Sequence, residues 1–99
     1  MKFIQTIAFT STQEDALRAL GENWDNQNQG DAPGYLGSKI LKDRDRENAY
    51  MVIAEFESYE QAMENSARPE TDAMAKQMAA LVEGAPTFTN YDVIDEQSA

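Results

Sequence analysis

The side chains best suited to grip a small organic molecule in this chain are Gln5, Trp24, Tyr50, Met63, Met74, Met78, Asn90 and Tyr91. Gln5 and Asn90 can each hold a ligand oxygen through an amide; equally, Gln5 can pair with backbone or a neighbouring side chain, and Asn90 can serve a strand edge or a turn. The phenols of Tyr50 and Tyr91 can donate to a ligand or act as acids at a shifted pKa, or simply pack their rings and wet their hydroxyls. Trp24 is either a cavity wall for an aromatic guest or ordinary core. Met63, Met74 and Met78 recur at helical spacing, and a thioether stripe suits an irregular apolar cavity as well as it suits plain core.

Two residue types are missing: the chain has no histidine and no cysteine. That removes the usual proton carrier near neutral pH, the usual proximal haem ligand, thiolate metal sites and a cysteine nucleophile. Carboxylates cluster in "EFESYEQAME", but they are scattered over strand and helix without metal-ligand spacing, so no metal is expected. No glycine-rich phosphate loop or nucleophile elbow is present either. No cofactor is therefore expected.

Eighteen acidic against eight basic side chains leave a net charge of −10 over 99 residues. Such a surface repels phosphate backbones and anionic headgroups, which argues against nucleic acid and membranes as partners. No apolar run approaches the ~20 residues a membrane helix needs, and "MKFIQTIAFTSTQED" is too short in apolar residues for a signal sequence. A cytoplasmic protein is the expectation, which the lack of cysteine fits. The length allows one domain, residues 1–95, that buries roughly 65% of its unfolded surface, with 96–99 as a flexible tail.

The elements that must position these side chains follow from periodicity and punctuation. "KFIQTIAFT" reads as a strand. Ser11 and Glu14 then stand at capping-box spacing before Leu17, Leu20 and Trp24, which predicts a helix over about 12–27. After the polar "NQNQGDAPG", "YLGSKILKD" and "AYMVIAEFES" flank the charged turn "RDREN" and predict an antiparallel hairpin. Ser58 and Gln61 repeat the capping-box spacing ahead of "YEQAMENSA". Pro69 cannot sit inside that helix but fits the first turn of a new one. Two helical segments with an elbow at 66–69 are thus predicted, the second running to Gly84 and Pro86, and "TFTNYDVID" closes the chain as a strand.

The order β-α-β-β-α-β predicts an α+β, ferredoxin-like fold: a four-stranded antiparallel sheet with both helices on one face. A sheet covered on one side should alternate apolar and polar side chains. Here Phe3, Ile7 and Phe9 share one face of the first strand while Ile4 and Ala8 share the other, and Tyr50, Val52, Ala54 and Phe56 oppose Met51 and Ile53. Helices can cover only one of these faces. A homodimer through the helix-free sheet face is the economical way to cover the second, because a two-fold axis makes one patch its own complement.

The run "RDRENAYMVIAEFESYEQAMENSARPET" and the later "ALVEGAPTFTNYDVI" resemble small actinobacterial proteins of the antibiotic biosynthesis monooxygenase superfamily, which carry similar "EFPSYEDAM.NS..PET" and "PPTF.N.DV" runs. The resemblance spans most of the chain, most closely residues 43–94, and implies the dimeric α+β barrel. It also implies a small apolar or aromatic ligand in a cavity between sheet and helices. The haem-degrading branch of the superfamily holds iron with a histidine on the second helix, which this chain lacks. The cofactor-free branch lets oxygen react with a deprotonated, electron-rich phenol inside an apolar cavity bearing a few Asn, Trp, Tyr or Arg side chains. Two expectations follow from the resemblance: a cofactor-independent oxygenase of a small aromatic or polyketide-like substrate, or a non-catalytic ligand-binding or stress-associated protein with the same cavity. The elbow at Arg68 and Pro69 is expected to admit the ligand to that cavity.

Overall fold

The computed structural model describes residues 1–28 and 34–98, with backbone alone over 24–28. Four strands and three helices follow one another as β1 (Phe3–Thr10), α1 (Glu14–Asn28), β2 (Tyr35–Lys42), β3 (Ala49–Phe56), α2 (Tyr59–Ser66), α3 (Pro69–Ala79) and β4 (Glu83–Asp92). The strands form one antiparallel sheet in the order β2-β3-β1-β4, which is the ferredoxin-like α+β arrangement.

All three helices lie on one face. Leu17 of α1 and Met78 of α3 pack with Phe9, Ile7, Tyr50 and Val52, while Ala62 and Met63 of α2 pack with Phe3, Phe56, Ala54 and Tyr35. The core is therefore in two clusters, one toward each end of the sheet. Ring contacts reinforce both ends: Phe9 stacks on Tyr50 with centroids 6.0 Å apart, and Phe3 meets Tyr59 edge-on at 5.3 Å.

The second helical break forms where proline requires it. Arg68 is extended (φ −74°, ψ 141°) and Pro69 occupies the first turn of α3, as expected of the residue before a proline and of a proline that needs no amide donor. Ser58 caps α2, its hydroxyl accepting from the Gln61 amide at 3.2 Å.

Three local expectations are corrected. Ser11 does not form a capping box with Glu14: α1 begins at Glu14, and the Ser11 hydroxyl instead accepts from the Gln13 amide (3.1 Å) and donates to the Leu81 carbonyl (2.6 Å). Helix α3 stops at Ala79, well before Gly84, because Leu81 and Val82 turn into the Phe9–Tyr50 cluster rather than continuing the helix. Strand β4 consequently starts at Glu83 and ends at Asp92. Pro86 falls within it, at an irregularity in the pairing with β1 on an edge strand; that is where a residue without an amide donor costs least.

Candidate functional site

Between the two core clusters the layer is not filled. Small or polar side chains stand where large ones would meet: Gln5 on β1, Ser38 on β2, Ala54 on β3, Gly21 on α1 and Ala75 on α3. Together with Met63, Met74, Met78, Val52, Val82 and Phe88 they enclose a cavity of about 350 Å³ between the sheet and α2–α3, within the range of about 300–1,000 Å³ that small-molecule sites occupy. Helix α3 roofs it and has no fully buried residue of its own, since much of what lies beneath it is space. On the β4 edge Phe88 is 58% exposed and marks an open side.

The sequence-selected residues divide into three groups. Gln5, Met63, Met74 and Met78 line the cavity together. Asn90 lies next to them by register, opposite Gln5, and its Oδ1 accepts from Gln5 Nε2 at 3.2 Å. Asn90 and Tyr91 also line a separate groove at the sheet end with Met1, Phe3 and Tyr59. By its pairing with Ile4, Tyr91 belongs to the helix-free face.

Tyr50 is placed elsewhere. It is 7% exposed, and its hydroxyl donates to Glu14 Oε1 at 3.0 Å. The same carboxylate takes Lys42 Nζ at 2.8 Å and Arg18 at 2.9 Å. Burial and the bond to Glu14 raise the Tyr50 phenol above its ordinary value, while Lys42, then Tyr50, hold the Glu14 carboxyl below the usual range. This knot ties α1 to β2 and β3 and does not line the cavity. The Trp24 side chain lies outside the described residues.

Sequence reasoning passed over Asn65, Ser66 and Thr71, which line the cavity at the elbow. Asn65 is 5% exposed, and its Oδ1 accepts from Arg68 Nη1 at 3.4 Å. A signal for Thr71 was present: it stands three and seven residues before Met74 and Met78, on the same helical stripe. Among the described residues no group of carboxylates could hold a metal ion, and no helix is long and apolar enough to cross a membrane.

Residues 3–77 match the family model for antibiotic biosynthesis monooxygenases. The chain belongs to this family. Solved structures agree on the fold. A candidate antibiotic biosynthesis monooxygenase of Caulobacter crescentus superposes with a TM-score of 0.81 at 14% identity, covering 95% of this chain and 91% of that one. A Mycobacterium tuberculosis protein gives 0.78 at 17% identity, covering 99% of this chain and 100% of the other. SnoaB, a cofactor-independent oxygenase from Streptomyces nogalater, gives 0.73 at 17% identity, covering 96% and 95%. No curated protein matches the sequence significantly.

Proposed function

We propose that this monooxygenase-family protein binds a small, apolar, aromatic molecule between its sheet and the α2–α3 pair and oxidises it with molecular oxygen, without a resident metal or flavin. The observation that carries the reading is the 350 Å³ cavity, walled by methionine and aliphatic side chains with Gln5 on its floor. Family membership supports the chemistry, as does the cofactor-independent oxygenase SnoaB among the structures of the same fold. In such a reaction a deprotonated, electron-rich phenol transfers electrons to O₂ and a carbon–oxygen bond forms. One oxygen atom becomes the new quinone carbonyl, and the other leaves as water with two substrate hydrogens, so no external reductant is consumed.

A second reading, binding without catalysis, is favoured by where the ionisable groups lie. The Tyr50 phenol is committed to Glu14, and Asp72 at the cavity wall pairs with Lys76 at 3.1 Å. Deprotonation would then rest on the substrate's own acidity. Oxygen uptake with dihydroxynaphthalenes in metal-free buffer separates the readings. Uptake equimolar with quinone establishes the oxygenase; saturable binding without uptake establishes the binder; no binding of any of them refutes both.

The protein is further proposed to act as a homodimer through the helix-free face, in a cytoplasmic setting. Ile4, Ala8, Met51 and Ile53 lie there half-buried with no helix over them, and Leu41 is 40% exposed beside them. An apolar surface of this kind is one that monomers seldom leave in water. Light scattering at low micromolar concentration is expected to give twice the chain mass, and the single-chain mass would refute the dimer.

A further inference from the structure

Resting on the reading of this cavity as a ligand site, we infer that its open β4 side is a two-point grip for a hydroxylated aromatic: Phe88 lies against the face of the ring, and Gln5 Oε1 accepts a hydrogen bond from the hydroxyl. Both residues stand on the helix-covered face of the sheet. Gln5 alternates on β1 with Phe3 and Ile7, which pack under the helices. Phe88 is the direct partner of Ile7, and Asn90 that of Gln5; residues directly opposite in an antiparallel pair project to the same side. The helices do not close over β4. Among the described residues no β4 side chain belongs to either core cluster, Asn90 is exposed, and Phe88 is 58% exposed. An apolar residue exposed singly is unremarkable in itself. Phe88, however, also walls the cavity, and beyond its Cβ it has nothing but the ring, so what it offers a guest there is an aromatic surface to stack on.

Gln5 supplies the polar half. Its Nε2 donates to Asn90 Oδ1 at 3.2 Å, which turns the nitrogen end of the amide toward β4. Its oxygen end has no partner among the described residues. Nor is that oxygen sealed off. Among the described residues the buried side-chain polar atom without a partner is Thr71 Oγ1, so Gln5 Oε1, equally without one, keeps accessible surface on a half-buried residue of the cavity wall. The neighbour of Gln5 on its other side is Ala54, too small to fill the space and without a polar group to compete for it. Other polar side chains of the wall are engaged: Ser38 accepts from Tyr35, and Asp72 pairs with Lys76. An amide oxygen only accepts, so Oε1 takes a hydroxyl and has nothing to offer a bare ring. Gln5 and Phe88 are diagonal neighbours across the β1–β4 pair, about 7–8 Å apart, a span that a bicyclic ring bearing one hydroxyl bridges.

The test titrates 2-naphthol and naphthalene into the wild-type protein, Gln5→Met and Phe88→Ala. Gln5→Met keeps the length of the side chain and removes the amide; it is expected to weaken 2-naphthol about tenfold, the order of one hydrogen bond, and to leave naphthalene no weaker. Phe88→Ala removes the ring from an exposed edge and is expected to weaken both probes by about the same factor, on the order of tenfold for a lost aromatic pair and its contact area. If 2-naphthol binds the wild type and either variant holds it as tightly, the grip is overturned while the cavity stands. An equal loss of both probes in Gln5→Met would make Gln5 a support of the wall and overturn its bond to the hydroxyl. If neither probe binds the wild type, cavity and grip fall together. Should Gln5→Met not fold, Gln5→Leu makes the same comparison.

Discussion

Replacing Ala54 with leucine should make the empty protein more stable and abolish its ligand binding. Ala54 stands on β3 at the middle of the cavity floor, opposite Gln5 on one side and Ser38 on the other. Leucine adds three carbons. At about 0.8 kcal/mol per buried CH₂ they contribute up to about 2.4 kcal/mol, and freezing the new side chain costs about 0.5–1 kcal/mol. The net gain is about 1.5 kcal/mol, which at about 4–8 °C per kcal/mol for a domain of this size raises the melting temperature by roughly 6–12 °C. The assay is thermal unfolding of both proteins without ligand, followed by titration of 2-naphthol. In a filled layer the same substitution would overpack and cost about 1–3 kcal/mol. A lowered melting temperature would therefore show that the space does not exist in solution, and a higher one with undiminished binding would show that it is not where the ligand goes.

Three other substitutions probe what surrounds the cavity. Ser11→Ala removes a fully buried hydroxyl that accepts from Gln13 and donates to Leu81; at about 1 kcal/mol per bond it should destabilise by about 2 kcal/mol in urea unfolding, and a cost below about 0.5 kcal/mol would deny the tether. Pro69→Ala frees the unfolded chain and the residue before it, so a loss of about 0.4–1 kcal/mol is expected, together with a changed dissociation rate for naphthol; an unchanged rate would remove the elbow from ligand entry. The lowered carboxyl of Glu14 and the lowered Asp43, which the Asp45 amide and then Arg46 hold down, bind protons more weakly in the fold than in the unfolded chain. Their stabilisation is present above the ordinary carboxylate range and fades as pH falls through the depressed values, so Glu14→Gln should flatten the acid limb of a stability profile between about pH 5 and 2; an acid limb as steep as wild type would contradict the Glu14 contacts.

Much of this fold could be read along the chain because its signals are local. The extended runs of β1 and β3, the cap at Ser58 and the stop at Pro69 each involve a few neighbouring residues, and each is found where the pattern put it. What could not be read depends on contacts made across the fold. Ser11 and Glu14 stand at capping-box spacing, yet the serine's partner is the Leu81 carbonyl seventy residues away and the glutamate's are Lys42 and Tyr50. Once both are taken by other elements, the local box has no members left. The end of α3 was misplaced for the same reason: nothing in "AALVEG" says that Leu81 and Val82 are claimed by the Phe9–Tyr50 cluster. Gln5 was legible as an oddity in an apolar row, and its bond to Asn90 needed only the β1–β4 register. Thr71 could have been placed on the cavity side by its spacing to Met74 and Met78, but that its hydroxyl finds no partner could not, because a threonine in the first turn of a helix normally has water or a carbonyl to bond.

The same elbow accounts for how a small domain can leave space in its middle. A chain of 99 residues has little stability to spare, and a roof helix over a void contributes little apolar burial of its own. Helix α3 is instead held at its ends. At its start, Arg68 takes two amides of the first turn and reaches back to Asn65; past its end, Leu81 and Val82 enter the core and Ser11 clasps the Leu81 carbonyl. Between these anchors the side chains that line the cavity include Met74 and Met78, which are able to reshape around an apolar guest. Fixing the ends and leaving the span adaptable lets the two core clusters hold the fold while the space between them remains available for a guest.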